Sequence, residues 1–342
     1  MNRTGERKQR YRQAVDRAMG WMLAHQQPDG SFGAIERMSH YMLTGAALLY
    51  GGRAEAAARL MPALRRLYVR PDGGFDPPEI RIGLRGALAE RGYAPSWMIY
   101  SAHVNLAFDI SLPAMPQLLR LQDPATGGMF GSLEDADRGL GIIHTAVTSV
   151  AAEAAVATGH VPEARRMADH LVDNILGRNP DLSQALYPVW DTEGGVRTDD
   201  ATPSFPNMPP VLRRHERDQH HYLTGMMIGA LVDVYGATRA RKYLDAALEI
   251  YEFAAGGTPA IYESTASHKF AWGCAWLYRE TGKAEHLESA CRVCDYLVSI
   301  QETDGSFVHW AFVKSADEWP YSPRFNITGQ FALWIARTLQ VL

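Results

Sequence analysis

One short pattern recurs along this chain, each time at the start of an apolar segment. A polar or aromatic residue is followed four positions later by a hydroxyl or aromatic residue and then by a small one. It runs His40-Tyr-Met-Leu-Thr44-Gly45, His220-His-Tyr-Leu-Thr224-Gly225 and Arg324-Phe-Asn-Ile-Thr328-Gly329. Looser copies place Trp97 before Ser101-Ala102, His144 before Thr148-Ser149 and His268 before Trp272-Gly273. Spacing of four puts both residues on one face of a helix. The clearest copy, Arg217 to Gly225, leads into the apolar run Met226–Tyr235. It predicts a helix with a polar first turn and a body that is apolar all round. Such a helix is buried, so its first turn should open into a cavity. The small residues Gly45, Ala102, Ser149, Gly225, Gly273 and Gly329 should let neighbouring helices of this kind approach closely.

Between the copies lie amphipathic segments, and the alternation predicts twelve helices in six pairs. Outer helices are expected at 7–25, 54–68, 113–122, 162–177, 239–255 and 284–301. Inner ones are expected at 39–50, 96–109, 140–158, from 217 onward, 266–281 and 323–341. Inner-to-outer connections are short, as at Gly51-Gly52-Arg53 and Gly282-Lys283, whereas outer-to-inner ones are long and rich in Gly, Pro, Asp and aromatics. If the inner helices run parallel, all the long loops share one face, where binding groups tend to sit. An all-α (α/α)6 toroid over residues 1–342, as a single domain, is the expected fold; an open helical solenoid is the alternative. The segment 178–214 carries Pro180, Pro188, Pro203, Pro206, Pro209 and Pro210, which forbid a long helix. It is expected to be an ordered lid-like loop over the mouth.

Composition narrows the function classes. With 46% hydrophobic residues the chain can bury a large core. A net charge of −4 and no basic block argue against nucleic acid. Met1–Arg12 is polar, without the apolar stretch of a secretory signal, and no run reaches the roughly 18 apolar residues of a membrane span. Three cysteines, an odd number, suit a reducing cytoplasm better than a disulfide framework.

The turns Gln27-Pro-Asp-Gly-Ser-Phe-Gly33, Gln122-Asp-Pro-Ala-Thr-Gly-Gly-Met-Phe-Gly131 and Gln301-Glu-Thr-Asp-Gly-Ser-Phe307 resemble the repeat turns of terpenoid cyclases and protein prenyltransferases. The phrases Ala271-Trp-Gly-Cys-Ala-Trp-Leu-Tyr-Arg-Glu-Thr-Gly282 and Tyr243-Leu-Asp-Ala-Ala247 resemble the six-hairpin sugar enzymes, namely unsaturated glucuronyl hydrolases and the N-acylglucosamine 2-epimerase group. Both resemblances imply the α/α toroid across almost the whole chain. Reaction motifs depart from both. The cyclase D-x-D-D has only Glu134-Asp-Ala-Asp137 and Thr198-Asp-Asp200 near it. No cysteine has an Asp two before it, as the prenyltransferase zinc site requires. The hydrolase phrase R-G-Q-A-W is replaced by His268-Lys-Phe-Ala-Trp272.

The recurrent frame aligns His40, Trp97, His144, His220, His268 and Arg324 as a polar ring at the mouth. Imidazole suits proton transfer near neutral pH, and guanidinium offers a planar fork to an anion. His220 and His221 with Asp218 are the expected acid/base group: His220 turns inward and His221 leans on Asp218, a residue equally placed to cap its helix. Glu263, just before the fifth inner helix, is a further catalytic candidate. His40, Tyr41, Trp97, His144, His268, Trp272, Arg324 and the loop residues Asp199 and Asp200 are the substrate-binding candidates. No metal and no cofactor are expected, and the expected partner is a small molecule. A ring this rich in histidine points to metal-independent acid/base chemistry on a sugar-like or anionic hydroxylated molecule, by an epimerase, lyase or hydrolase. A terpenoid cyclase or isomerase is the alternative, and a non-catalytic binding protein the third.

Overall fold

A computed structural model describes residues 3–33, 37–76, 92–198, 211–217, 219–310 and 321–342. The helices begin with α1 (Arg3–Leu23), α2 (Met38–Tyr41), α3 (Thr44–Tyr50), α4 (Ala54–Tyr68) and α5 (Ala94–Val104). There follow α6 (Phe108–Leu119), α7 (Leu133–Arg138), α8 (Thr145–Ala157), α9 (Val161–Asp169) and α10 (Tyr222–Thr238). The chain ends with α11 (Arg241–Ala255), α12 (His268–Thr281), α13 (Ala284–Ser299) and α14 (Tyr321–Val341). A wider turn, His170–Leu176, continues α9.

Among the described residues α3, α5, α8, α10, α12 and α14 form an inner ring. Each packs on the next, and α14 returns to α3. The ring is closed, which excludes the open solenoid. Its first and last outer helices are sealed by polar contacts: Arg7 bridges Glu288 and Asp295, and the Tyr11 hydroxyl donates to the Cys291 carbonyl at 2.8 Å. The inner helices are buried on nearly every side, and α10 is buried from Tyr222 through Val232. The outer helices bury one stripe, as α1 does with Tyr11, Ala14, Ala18 and Met22.

The inner helices run parallel where they pack. Along α10 and α12, Gly225 faces Lys269, Gly229 faces Trp272, and Asp233 meets Trp276, so both chains advance together. The glycines make this approach possible. A Cβ on Gly225 would lie 2.2 Å from the Lys269 carbonyl, and Gly273 backs onto Gly225 in turn.

The repeated turns are clamps between neighbouring hairpins. The amides of Gln26, Gln122 and Gln301 each donate to a carbonyl within their own turn and to one on the next outer helix. Those second carbonyls are Ala56, Glu163 and, closing the circle, Ala14. Gly305, at φ +94°, lies so close to the Arg17 carbonyl that a side chain would collide. The frame threonines finish the connection. Thr148 and Thr328 donate to the carbonyls four residues back and accept the backbone N–H of Met129 and Phe307, at 3.0 Å each.

Two expectations need correction. The helix expected from 217 starts at Tyr222, so His220 and His221 precede it. The segment 178–214 is not wholly irregular. In its described part β2 (Ala185–Leu186), β3 (Val189–Asp191), β4 (Gly195–Val196) and β5 (Leu212–Arg213) join β1 (Ile142–His144) in two small antiparallel sheets, ordered β1-β3-β4 and β2-β5. The three-stranded sheet sits at the N-terminal end of α8, where Thr145 donates its N–H and hydroxyl to the Pro188 carbonyl. No helix among the described residues is long and apolar enough to cross a membrane. Cys274, Cys291 and Cys294 are free and buried.

Candidate active site

Side chains from non-adjacent inner helices meet at the axis of the ring on two levels, and a third, polar level joins neighbouring inner helices. The middle level is apolar. Trp97 of α5 packs against Trp272 of α12 and Trp334 of α14, with centroids 5.9 Å away in both cases, and the last two indoles stack at 4.9 Å. The lower level is a plugged cation. Arg337 of α14 donates to the Tyr100 hydroxyl of α5, and its guanidinium lies 4.7–5.8 Å from the ring centroids of Tyr50, Tyr100, Trp272, Trp276 and Trp334. Such an aromatic cage stabilises a desolvated guanidinium.

The upper level, toward the inner-helix N-termini, is polar. The Nδ1–H of His268 donates to the Thr265 carbonyl at 2.8 Å, which leaves Nε2 bare. That nitrogen accepts from Lys269 Nζ at 2.7 Å, and Lys269 also donates to Gln330 Oε1 at 2.8 Å. The Tyr222 ring lies 5.3 Å from Lys269 Nζ and 6.0 Å from the His268 ring. His309, held through Nδ1 to the Thr265 hydroxyl at 2.9 Å, stands edge-on to His268 at 5.7 Å. His220, half-buried, closes the group by its contact with the Tyr222 hydroxyl at 3.0 Å. Helices α10 and α12 and the connection after α13 thus deliver two His, one Lys and one Tyr to a single buried cluster, with His220 at its more exposed edge.

Burial sets the charge states here. It pushes Lys269 down to about 7, opposed only by the field of Glu153. It lowers His220 and His309, and takes His268 well below the ordinary imidazole range, with the neighbouring Lys269 adding to the effect at the last two. Glu153 of α8, 1% exposed, is raised well above the usual carboxylate range by burial and by Asp233, against the pull of Arg337 and Lys269. Neither of its oxygens has a hydrogen-bond partner among the described residues, nor has Ser149 one turn before it. Burial thus disfavours the charged form of these imidazoles, of the amine and of the acid alike. Such perturbed groups concentrate at functional sites.

The expected site residues fare unevenly. His220 and His268 join through Tyr222, and Trp97 meets Trp272 on the axis. His144 is buried at the N-cap of α8, its Nδ1 accepting the Ala146 N–H at 3.0 Å. His40 contacts Ser322, and burial lowers it to about 4. The Tyr41 hydroxyl accepts the Phe32 N–H at 2.8 Å, among Phe32, Tyr68 and Phe325. Arg324 turns to the repeat turn, donating to Ser306 at 2.9 Å and Asp304 at 3.3 Å. His221 is buried at the start of α10. Glu263 is exposed, on the 3-10 turn before α12. Asp199, Asp200 and Asp218 lie outside the described residues. Sequence reasoning passed over Lys269, Glu153, His309 and Gln330. The signal for two of them was present: a Lys and a Glu inside otherwise apolar inner helices. Among the described residues no group of three or more His, Cys, Asp or Glu is placed to hold a metal ion.

No protein-family model and no curated protein matches the sequence. Solved structures do match. A D-mannose isomerase superposes with a TM-score of 0.67 at 12% identity, over 97% of each chain. The GH76 α-mannanase of Bacteroides thetaiotaomicron gives 0.65 at 14% identity, over 96% of each. A heparin-specific unsaturated glucuronyl hydrolase gives 0.63 at 12%, over 97% of this chain and 98% of the other. The fold is the (α/α)6 toroid. At these identities the likeness is one of fold, and the type II terpene cyclase of Scytonema shares it too, at 0.55.

Proposed function

We propose that this toroid is an enzyme that moves a proton on a hydroxylated, sugar-like small molecule, as an isomerase, epimerase or lyase does. The observation that carries this reading is the buried cluster of His268, Lys269 and His309, with His220 at its edge, at the N-terminal end of the inner ring. Neutral imidazoles are competent bases, and the cluster offers several within one ring contact of each other. Glycoside hydrolysis calls for two carboxyl groups flanking the bond. Of the two inner-helix carboxyl groups that act on one another, Glu153 and Asp233, the second is engaged by Trp276 at 2.8 Å and by Arg279. The D-mannose isomerase neighbour fits the same reading.

The test is solvent exchange. In deuterated buffer, D-mannose, N-acetyl-D-glucosamine and D-glucuronate are incubated with the protein and followed by proton NMR. Loss of the signal of the proton next to the carbonyl carbon in one of them is the expected result. No exchange in any, together with release of reducing ends from a mannan or a glucuronide, would replace this reading by a hydrolase.

A second reading has its own observation. The Trp97, Trp272 and Trp334 indoles form an aromatic level across the axis, which could shield a carbocation as in a terpenoid cyclase or isomerase. Turnover of squalene or a prenyl diphosphate, with no sugar exchanged, would decide for it.

A further inference from the structure

The chain contains 29 arginines among its 34 basic residues and only five lysines: Lys8, Lys242, Lys269, Lys283 and Lys314. Lys242 and Lys283 are exposed and Lys8 is half-buried, whereas Lys269 is 3% exposed and reaches Gln330 on the neighbouring inner helix α14. A buried lysine is ordinarily matched to a carboxylate. This one is matched to two acceptors that carry no charge, His268 Nε2 and Gln330 Oε1, at 2.7 and 2.8 Å. The acid whose field it feels, Glu153, is itself buried, with neither oxygen hydrogen-bonded among the described residues. Buried polar groups rarely stay unpaired. Buried on α12 and α8, an amine and an acid that act on one another electrostatically thus make no ion-pair contact among the described residues. Desolvation of a lysine in a site of this kind is how amines are made nucleophilic.

Resting on the proton-transfer reading above, we propose that Lys269 condenses with the carbonyl of an open-chain aldose or ketose, and that Glu153 is the acid that lets water leave. The step balances. Lys269 Nζ attacks the carbonyl carbon, and one amine proton moves to the oxygen to give the carbinolamine. The C–O bond then breaks as Glu153 gives its proton to the departing hydroxyl. An aldehyde, a neutral amine and a carboxylic acid become a protonated imine, a carboxylate and one water. The two buried groups finish as an ion pair, which is what each lacked at the start. The iminium draws electrons from the adjacent carbon and makes its proton easier to remove, and His220, His268 and His309 are the bases nearby. The ligand class is a small hydroxylated aldehyde or ketone.

The experiment uses the full chain and glycolaldehyde as probe, with sodium cyanoborohydride at pH 7, followed by peptide mapping. At that pH exposed lysines are protonated and condense slowly. The expected result is a reduced adduct on Lys269 that forms at least tenfold faster than on Lys242 or Lys283. Glu153→Gln should slow labelling of Lys269 alone. Adducts on Lys242 and Lys283 with Lys269 unmodified would overturn the proposal, and this measurement on the wild-type chain depends on no variant folding. The two readings separate cleanly. Sugar proton exchange without a Lys269 adduct keeps the proton-transfer enzyme and removes the imine. A Lys269 adduct with no sugar exchanged keeps the amine site and removes that choice of substrate.

Discussion

Replacing Lys269 by Met tests the electrostatics of the upper level without any knowledge of the substrate. An unfolded lysine titrates near 10.5, and the folded one near 7. Between those values the unfolded chain binds one proton that the folded chain does not. Stability therefore rises with pH across that window, by about 1.4 kcal/mol per pH unit. Below about 7 both states are protonated, and the penalty is constant and complete. Above about 10.5 it vanishes. Met fills a similar volume and does not titrate, so Lys269→Met removes the slope. It also leaves His268 Nε2 and Gln330 Oε1 without their donor, at about 1–3 kcal/mol for each orphaned acceptor. That loss shifts the whole curve and has no slope of its own here, because His268 stays neutral in this range. The quantity to read is thus the difference between the two proteins against pH. From pH 7.5 to 9.5 the wild type should gain about 2.5 kcal/mol on the variant. Guanidinium unfolding at several pH values, followed by tryptophan fluorescence, measures it. A difference that stays flat would mean that Lys269 keeps an ordinary pKa, and the picture of a dry amine on the axis would fall.

Glu153→Gln should show the opposite slope: burial raises the folded acid above its ordinary value, so wild-type stability falls as pH rises above about 4.5, and the Gln variant should gain on it by up to about 1.4 kcal/mol per pH unit in the same unfolding assay. Thr328→Val leaves the buried Phe307 N–H unpaired and should cost about 1–3 kcal/mol, whereas Thr328→Ser keeps the acceptor and most of the stability, as read by the denaturant midpoint. Gly225→Ala forces α10 off α12 at the Lys269 turn; it should cost at least about 1–3 kcal/mol and should also slow any turnover found in the exchange assay, since the same backbone carries the amine.

The architecture was legible because the signals that encode it are local. An inner helix is apolar all round and an outer one is striped, and the alternation survives in the residues whatever the register. Ala54–Tyr68 was read to the residue, and most other ends fell within a few positions. The start of α10 was not. His220 and His221 carry no breaker, and what stops the helix there is the packing of Tyr222 and His220 into the cluster beyond it. The small strands escaped for a related reason. Two- and three-residue ladders such as Val189–Asp191 have no period long enough to see, and they form because Thr145 fixes Pro188. The site was legible only in outline. A histidine-rich axis was expected, and His220 and His268 belong to it, but the frame also swept in His144 and Arg324, whose side chains cap a helix and hold a turn.

That error has a geometric cause, and it explains what the recurrent frame is for. Successive residues on a helix point about 100° apart. The frame marks the residue whose neighbour four positions on, commonly Thr, ties the long loop down and whose next residue is small enough for helix contact. That geometry belongs to the seam between adjacent helices, as the bonds of Thr148 and Thr328 and the contact of Gly225 with α12 demonstrate. A residue on the seam is one step of rotation away from the axis. In α12 the frame selects His268, and the residue that reaches over to α14 is the next one, Lys269. In α8 the frame's small residue is Ser149, and the acid lies four further on, at Glu153, one turn deeper on the same face. In α14 the frame selects Arg324, while Trp334 and Arg337 reach the axis from lower turns. The repeat therefore fixes how the toroid closes, and the chemistry is carried by positions offset from it, where one hairpin is free to differ from the next. A lysine or a glutamate that interrupts the apolar body of an inner helix is the stronger pointer to the site, because nothing in the packing of the ring calls for it.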